Sequence, residues 1–395
     1  MRDSFSLDPA ITHVNHGSYG AVPIVVQEEQ QRWRRRAEAN PMRFNRIEKP
    51  EQVARARAVG AAFLDVESDA IALVRNVTEA VSTVLCSLAG TGELGRGDVI
   101  LVNSQGYGAV QRAAQRWCDR TGAGMVTVDV PVGVTDDELV AAHRRVAEEV
   151  IGRGGRVRLV VIDHVTSPTG RVLPVTELTR LAREFGALSF VDAAHVPGQL
   201  LARPAGSGAD YWTGTWHKWG YAPRGTTVLW VAPARRESCL PLTTSWAHGE
   251  PFPGPFDMRG TDDYSAWLSL PAALDFWESA GGPVMAQRAT TLLDDAAVLV
   301  TKAFAEAGYA VTSPSGGSHP APQLRLLALP DGVAATGDAA DELYERLSAA
   351  SVEAQVLWHA GRGWLRLSAA PYNDLEDYAR LAEALVAEIG SMPAT

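Results

Sequence analysis

The chain has 395 residues, with 46 Asp+Glu against 36 Lys+Arg and a formal net charge of −10 at pH 7. That length suggests about two or three domains with sizeable cores, and the acidic balance argues against a polyanion-binding surface, so nucleic acid is not an expected partner. Cys86, Cys118 and Cys239 lie far apart with no CxxC pair, which suggests neither a disulfide framework nor a thiolate zinc site and makes the reducing cytoplasm the expected compartment. No stretch approaches the ~18 uninterrupted apolar residues of a membrane span, and the acidic N-terminal segment lacks the apolar core of an export signal.

Between about Asp69 and Trp230, short apolar β-branched runs alternate with longer stretches of helical spacing, which predicts a mostly parallel sheet wrapped by helices. The predicted strands are Ile71–Arg75, Val99–Asn103, Met125–Val130, Val157–Asp163, Leu188–Asp192 and Thr226–Val231. Several end in a polar residue or run into a turn. Ligands in open α/β sheets collect at the carboxyl ends of strands, so function is expected just after them. Thr243–Pro255, with its glycines and prolines, reads as a long irregular loop. From Gly281 the texture changes to a long amphipathic helix over Val284–Ala307, strands over Gln323–Leu329, Val352–Trp358 and Trp364–Ser368, and a closing helix over Leu375–Ile389. This α+β pattern predicts a second, smaller domain, with turns at Pro314–Pro322 and Pro330–Gly332.

Three segments carry chemistry. Arg75-Asn-Val-Thr-Glu-Ala is a strand-to-helix turn whose free backbone N–H groups suit a phosphate, although Asn or Thr before a helix is also an ordinary cap. Leu188-Ser-Phe-Val-Asp-Ala-Ala-His places Asp192 at the end of a buried strand, where a carboxylate can keep a pyridinium nitrogen protonated or serve as a helix N-cap. Asp210-Tyr-Trp-Thr-Gly-Thr-Trp-His-Lys-Trp-Gly sets Lys218 between His217 and Trp219, after a Thr/Gly turn and before an apolar strand. Such a lysine is either partly desolvated, with a lowered pKa and able to form an imine with an aldehyde cofactor, or a snorkelling lysine. The order phosphate turn, pyridinium carboxylate, lysine is far more specific than any of its parts.

On these residues, and from Asn15-His-Gly-Ser-Tyr-Gly to Arg366-Leu-Ser-Ala-Ala-Pro-Tyr-Asn, the chain resembles the fold-type I pyridoxal-phosphate enzymes of the class V aminotransferase family. It resembles in particular the group containing isopenicillin N epimerase, the cysteine desulfurases and the fungal-type cysteine-conjugate C–S lyases. The resemblance implies an α/β fold with an N-terminal arm over residues 1–25 joining the active site. It implies a large cofactor-binding domain over 26–270, with a mostly parallel sheet wrapped by helices, and a smaller α+β domain over 271–395. It implies pyridoxal 5'-phosphate as cofactor, Lys218 as its covalent anchor and Asp192 as the partner of its ring nitrogen. Tyr107, in Ser104-Gln-Gly-Tyr, matches the aromatic on the ring face, and Ser167, in His164-Val-Thr-Ser-Pro-Thr-Gly, the position bonding the ring hydroxyl. Thr215 and His217, with the backbone of Asn76, Val77 and Thr78, match the phosphate cup. Thr261, in Arg259-Gly-Thr, matches a position that reaches the neighbouring subunit's phosphate, which implies a homodimer with shared active sites. His195 follows Asp192 as in the family's DxAH turn and is expected near the cofactor. Arg366 matches the arginine that grips the substrate carboxylate as a two-donor fork, with His16, Arg46 and Arg224 as further expected substrate-binding residues.

Other residues have plainer readings. The nine histidines include no HExxH or close ligand pair, so no metal is expected. Arg32-Trp-Arg-Arg-Arg36 reads as a solvated basic face and the tryptophans as packing, with Trp212, Trp216, Trp219 and Trp246 placed near the motifs. No GxGxxG follows a strand and no GxxxxGK[ST] occurs, which disfavours a nucleotide-binding protein. For the reaction, Phe44-Asn-Arg-Ile-Glu48 and Arg224 resemble the C–S lyases, whereas Ser245-Trp-Ala247 resembles the epimerase. A persulfide-forming desulfurase is disfavoured because no cysteine falls on a loop near the motifs. The leading expectation is α-proton removal and β-elimination on a cysteine S-conjugate, in secondary metabolism such as antibiotic biosynthesis. Decarboxylating oxidative deamination, as in lincosamide-pathway relatives, epimerisation and transamination are the alternatives.

Overall fold

The computed structural model describes residues 1–201, 203–311 and 319–391. Its centre is a seven-stranded sheet in the order Ile71–Val74, Thr227–Val231, Tyr211–Thr215, Leu188–Ala193, Arg156–Asp163, Asp98–Asn103, Gly124–Val128. Thr227–Val231 runs against both its neighbours, and every other pairing is parallel. Helices cover both faces, so the strands need no polar alternation: Tyr211–Thr215, Thr227–Val231 and even the edge strand Ile71–Val74 are buried at every residue. One face packs on the helices Val77–Gly90 and Gly108–Thr121 through Val81, Leu85, Leu88 and Val110. The other packs on a layer that includes Val53, Leu139, Leu178 and Trp267.

The expected Thr/Gly turn before Lys218 is instead the strand Tyr211–Thr215. Its two aromatics and two β-branched threonines favour extended backbone. Gly214 is needed for packing, since a Cβ there would stand 2.3 Å from the Trp212 ring and 2.7 Å from Pro197.

In the C-terminal part, Gln355–His359, Arg362–Ser368 and Leu324–Ala328 form an antiparallel sheet in that order. The helix Pro283–Glu306 closes over it with Ala289, Leu293, Ala296, Val300 and Phe304, buried at three- and four-residue spacing. The expected strand Val352–Trp358 is two, because Val352–Glu353 pairs in parallel with Thr12–His13 near the N-terminus. That pairing, with Arg2 on Asp377 at 2.8 Å, ties the beginning of the chain to its end and carries Asn15–Gly20 across the mouth of the central sheet. Of the expected turn Pro314–Pro322, residues 314–318 lie outside the described residues. The Arg32–Arg36 run is engaged within the chain, Arg34 by Asp263 at 3.0 Å and Arg36 by Glu48 at 2.7 Å. Among the described residues no helix is long and apolar enough to cross a membrane.

Candidate active site

The sequence holds three lysines. Lys302 is exposed beside Glu306, and Lys49 sits 4.4 Å over the Tyr264 ring. Lys218 lines a cavity of about 550 Å³ at the carboxyl ends of the central strands. Trp216 and Trp219, both fully buried, anchor its segment, and His16 holds its carbonyl. The Ala21 N–H and the Tyr372 hydroxyl both reach His16 Nδ1, at 3.3 and 3.1 Å, so Nε2 carries the proton and donates to the Lys218 carbonyl at 2.9 Å. Burial pushes His16 down to about 4, which keeps the ring neutral. Burial, and then the positive charge of Arg366, push the Lys218 amine down to about 7 against the pull of Asp192. Much of it is therefore neutral near neutral pH, able to act as nucleophile or base.

Asp192 does not cap a helix. Its Oδ1 accepts from the Ala194 N–H at 3.0 Å within the turn after the strand, while Oδ2 is buried without a hydrogen-bond partner. Burial raises its carboxyl to about 6, offset by the Ala194 N–H and the charge of Lys218. Beside it stands Asp163, which sequence reasoning passed over as a strand end. Its Oδ2 accepts from Asn103 Nδ2 at 2.8 Å and its Oδ1 from the Tyr107 N–H at 3.1 Å. Asp163 thereby fixes the backbone from which the half-exposed Tyr107 ring lines the cavity. The signal available in the sequence was a strand ending in Asp immediately before His164-Val-Thr-Ser-Pro-Thr-Gly.

At the far end, Asn76 Oδ1 caps the helix Val77–Gly90 by accepting from the Glu79 N–H at 2.8 Å. The amides of Val77 and Thr78 come before the first intrahelical bond, so they are free to meet an anion in the cavity they line. Thr215 and His217 line the same cavity, and His217 Nδ1 is buried without a partner. Burial, with the charges of Lys218 and Arg224, lowers His217 to about 3, so it is neutral there. From the other side comes Arg366, on the strand Arg362–Ser368. It donates to the Ser167 carbonyl and, at 3.1 Å, to Ser18 Oγ, while its Nε is unpartnered. Burial alone lowers it to about 10, so it keeps its charge. Gln355, Leu357 and His359 complete the wall; no motif in the sequence marked them.

Asn76, Val77, Thr78, Tyr107, Ser167, Asp192, His195, Thr215, His217, Lys218 and Arg366 thus share one cavity. Four expected site residues do not. His16 and Arg224 line a larger neighbouring cavity of about 1020 Å³, with Arg224 donating to the Gly20 carbonyl at 3.0 Å. Arg46, in the π-helical turn Phe44–Glu48, and Thr261 are exposed away from both. Among the described residues no cluster could hold a metal ion.

Residues 21–303 match the family model for aminotransferase class-V. The chain belongs to the class-V aminotransferase family. A rice protein (Oryza sativa subsp. japonica) described as an L-cysteine desulfhydrase is 35% identical over 278 residues, covering 68% of this chain and 58% of that protein. The isopenicillin N epimerase of Streptomyces clavuligerus is 32% identical over 412 residues, 98% of each chain. A solved structure of a mutant C-DES enzyme, with glycine covalently linked to its PLP cofactor, superposes with a TM-score of 0.81 at 20% identity over 98% of this chain and 99% of that one. The last likeness supports the fold of this class-V member: a mostly parallel sheet with helices and a smaller antiparallel C-terminal sheet. The cofactor of the family is pyridoxal 5'-phosphate, and the residues present fit it. The bare Asp192 Oδ2 suits a ring N–H, the amides of Val77 and Thr78 suit a phosphate, and the Lys218 amine suits an aldehyde carbon.

Proposed function

We propose that this class-V protein is a C–S lyase acting on a cysteine S-conjugate. Bound pyridoxal phosphate supplies an electron sink for bonds at the substrate α-carbon. The protein's own groups decide which bond breaks. Arg366 holds the substrate carboxylate with its planar fork, Asp192 holds the proton of the ring nitrogen, and the amides of Val77 and Thr78 hold the phosphate. Lys218 Nζ, neutral in a large fraction, takes the α-proton and returns it to the departing thiolate as the Cβ–S bond breaks. With one water consumed, the products are a thiol, pyruvate and ammonia.

The observation that carries this reading is that Lys218 and Arg366 line one cavity and no described cysteine lines it. Cys118 and Cys239 are buried, their thiols pushed up by that burial to about 11 and about 12, and Cys86 lies on the helix Val77–Gly90 outside the cavity. The sulfur then leaves on the substrate's own group instead of passing to a protein thiol. The desulfhydrase relatives support the same chemistry. Epimerisation is the second reading, favoured by the epimerase likeness over 98% of the chain. Incubation of the holoenzyme with S-substituted L-cysteines in deuterated water separates the two. Pyruvate with free thiol supports the lyase; intact substrate that is inverted and deuterated at the α-carbon overturns it.

We also propose a homodimer with shared sites, because Thr261 lies outside its own subunit's cavity. Sedimentation of a fully active monomer would contradict this.

A further inference from the structure

His195 Nε2 lies 3.1 Å from Lys218 Nζ, and its other ring nitrogen, Nδ1, lies 3.4 Å from the indole nitrogen of Trp219. An indole N–H can only donate. Nδ1 must therefore be the acceptor, and in a neutral ring the single proton then sits on Nε2, facing the lysine. Burial above all, then the charge of Lys218 whenever it is protonated and that of Arg366, holds His195 far below its ordinary value, so the ring is neutral. An N–H on Nε2 and an ammonium on Nζ would be two donors face to face at hydrogen-bond distance. The contact is satisfied only when the lysine is a free amine that accepts.

We propose that Trp219 is a positioning residue that locks the tautomer of His195, so that His195 presents an N–H to Lys218 and disfavours the ammonium form of that lysine. The role rests on Lys218 being the cofactor's anchor. It deepens that reading, because attachment and α-proton removal both need the free amine. The arrangement is rigid. Trp219 is fully buried, its ring lies 4.9 Å from that of His16, and a Cβ on Gly17 would stand 3.4 Å from it. The other groups that bear on Lys218 are Arg366 from the small-domain strand, Asp192 from the neighbouring strand, and His16 and His217. None of these hydrogen-bonds to the indole of Trp219, so a variant that keeps an aromatic ring against His16 and lacks the indole N–H removes the donor to His195 alone.

The test is Trp219→Phe, which keeps an aromatic ring and removes the donor. Without it His195 can carry its proton on Nδ1 and accept from a Lys218 ammonium through Nε2. The rate at which pyridoxal 5'-phosphate attaches to cofactor-free protein, followed by absorbance against pH, reads the amine directly. We expect the midpoint to rise by roughly one pH unit, so that attachment is about tenfold slower below it and unchanged on the alkaline plateau. An unchanged midpoint, or equal slowing at every pH, overturns the proposal. If the variant does not fold, nitrogen-15 NMR of histidine-labelled wild-type protein decides. A bare Nδ1 and a protonated Nε2 on His195 support the lock, and the opposite tautomer overturns it. Attachment to a lysine other than Lys218 in the wild type would instead overturn the underlying reading, which keeps the two failures distinct.

Discussion

Asp163 and Asp192 are register partners at the carboxyl ends of adjacent parallel strands, and both carboxyls are buried. Burial, and then the charge of Asp192, raise Asp163 to about 8, against the hydrogen bonds from Asn103 and Tyr107. Burial raises Asp192 as well, to about 6. Near neutral pH the cofactor-free pair therefore shares one proton.

A carboxyl whose folded pKa is raised binds its proton more tightly in the native state. The resulting stability is fully present below the unfolded value and is lost as pH rises through the folded one. The melting temperature of the cofactor-free protein should thus fall as pH rises towards and through about 8. Asp163→Asn should flatten that fall. Parallel curves for variant and wild type would show that Asp163 does not titrate there.

Asp192→Asn replaces an anion with a neutral amide at the one bare oxygen facing the cavity. The phosphate end and Lys218 are untouched, so the variant should still bind cofactor. Its turnover should drop by roughly 10²–10³-fold, the scale seen when one preorganised electrostatic partner is lost. Unchanged kcat would assign Asp192 a purely structural role in the turn.

Much of this site was legible in the sequence. Lys218, Asp192 and the Asn76 turn each follow a buried strand, and strand ends are where side chains and free amides leave the core together. Asp163 was passed over because its role comes from register with Asp192, and a contact between neighbouring strands leaves no local pattern. In the strand Tyr211–Thr215, Thr-Gly-Thr suggests a turn, and packing of Trp212 against Gly214 overrides that local signal. His16, 202 residues from Lys218 in the chain, reaches its carbonyl only because Thr12–His13 pairs with Val352–Glu353.

Arg366→Lys exchanges a planar fork for a point charge. It should raise KM for the amino-acid substrate and lower kcat together, by about 10²-fold in kcat/KM, because the carboxylate sets the orientation of the α-carbon. Wild-type kinetics in this variant would place the carboxylate elsewhere in the cavity.

Gly20 ends the short helix His16–Tyr19 with φ +70°, and a Cβ there would stand 2.1 Å from the His217 carbonyl. No flexible side chain can yield, since the obstacle is backbone. Gly20→Ala should therefore push the N-terminal segment off the lysine loop, destabilising the protein by about 1–3 kcal/mol and slowing cofactor attachment. Denaturant unfolding indistinguishable from wild type would show that the two segments are free to separate.

Whether Lys218 is the cofactor's anchor is decided by one measurement, because the only other lysines in the sequence are Lys49 and Lys302. Borohydride reduction of the purified holoenzyme, followed by proteolysis and peptide mass analysis, fixes the cofactor wherever it is attached. We expect the added mass of reduced pyridoxal phosphate on the peptide containing His217-Lys218-Trp219 and on no other. The same mass on the Lys49 or Lys302 peptide, or on none, would contradict it.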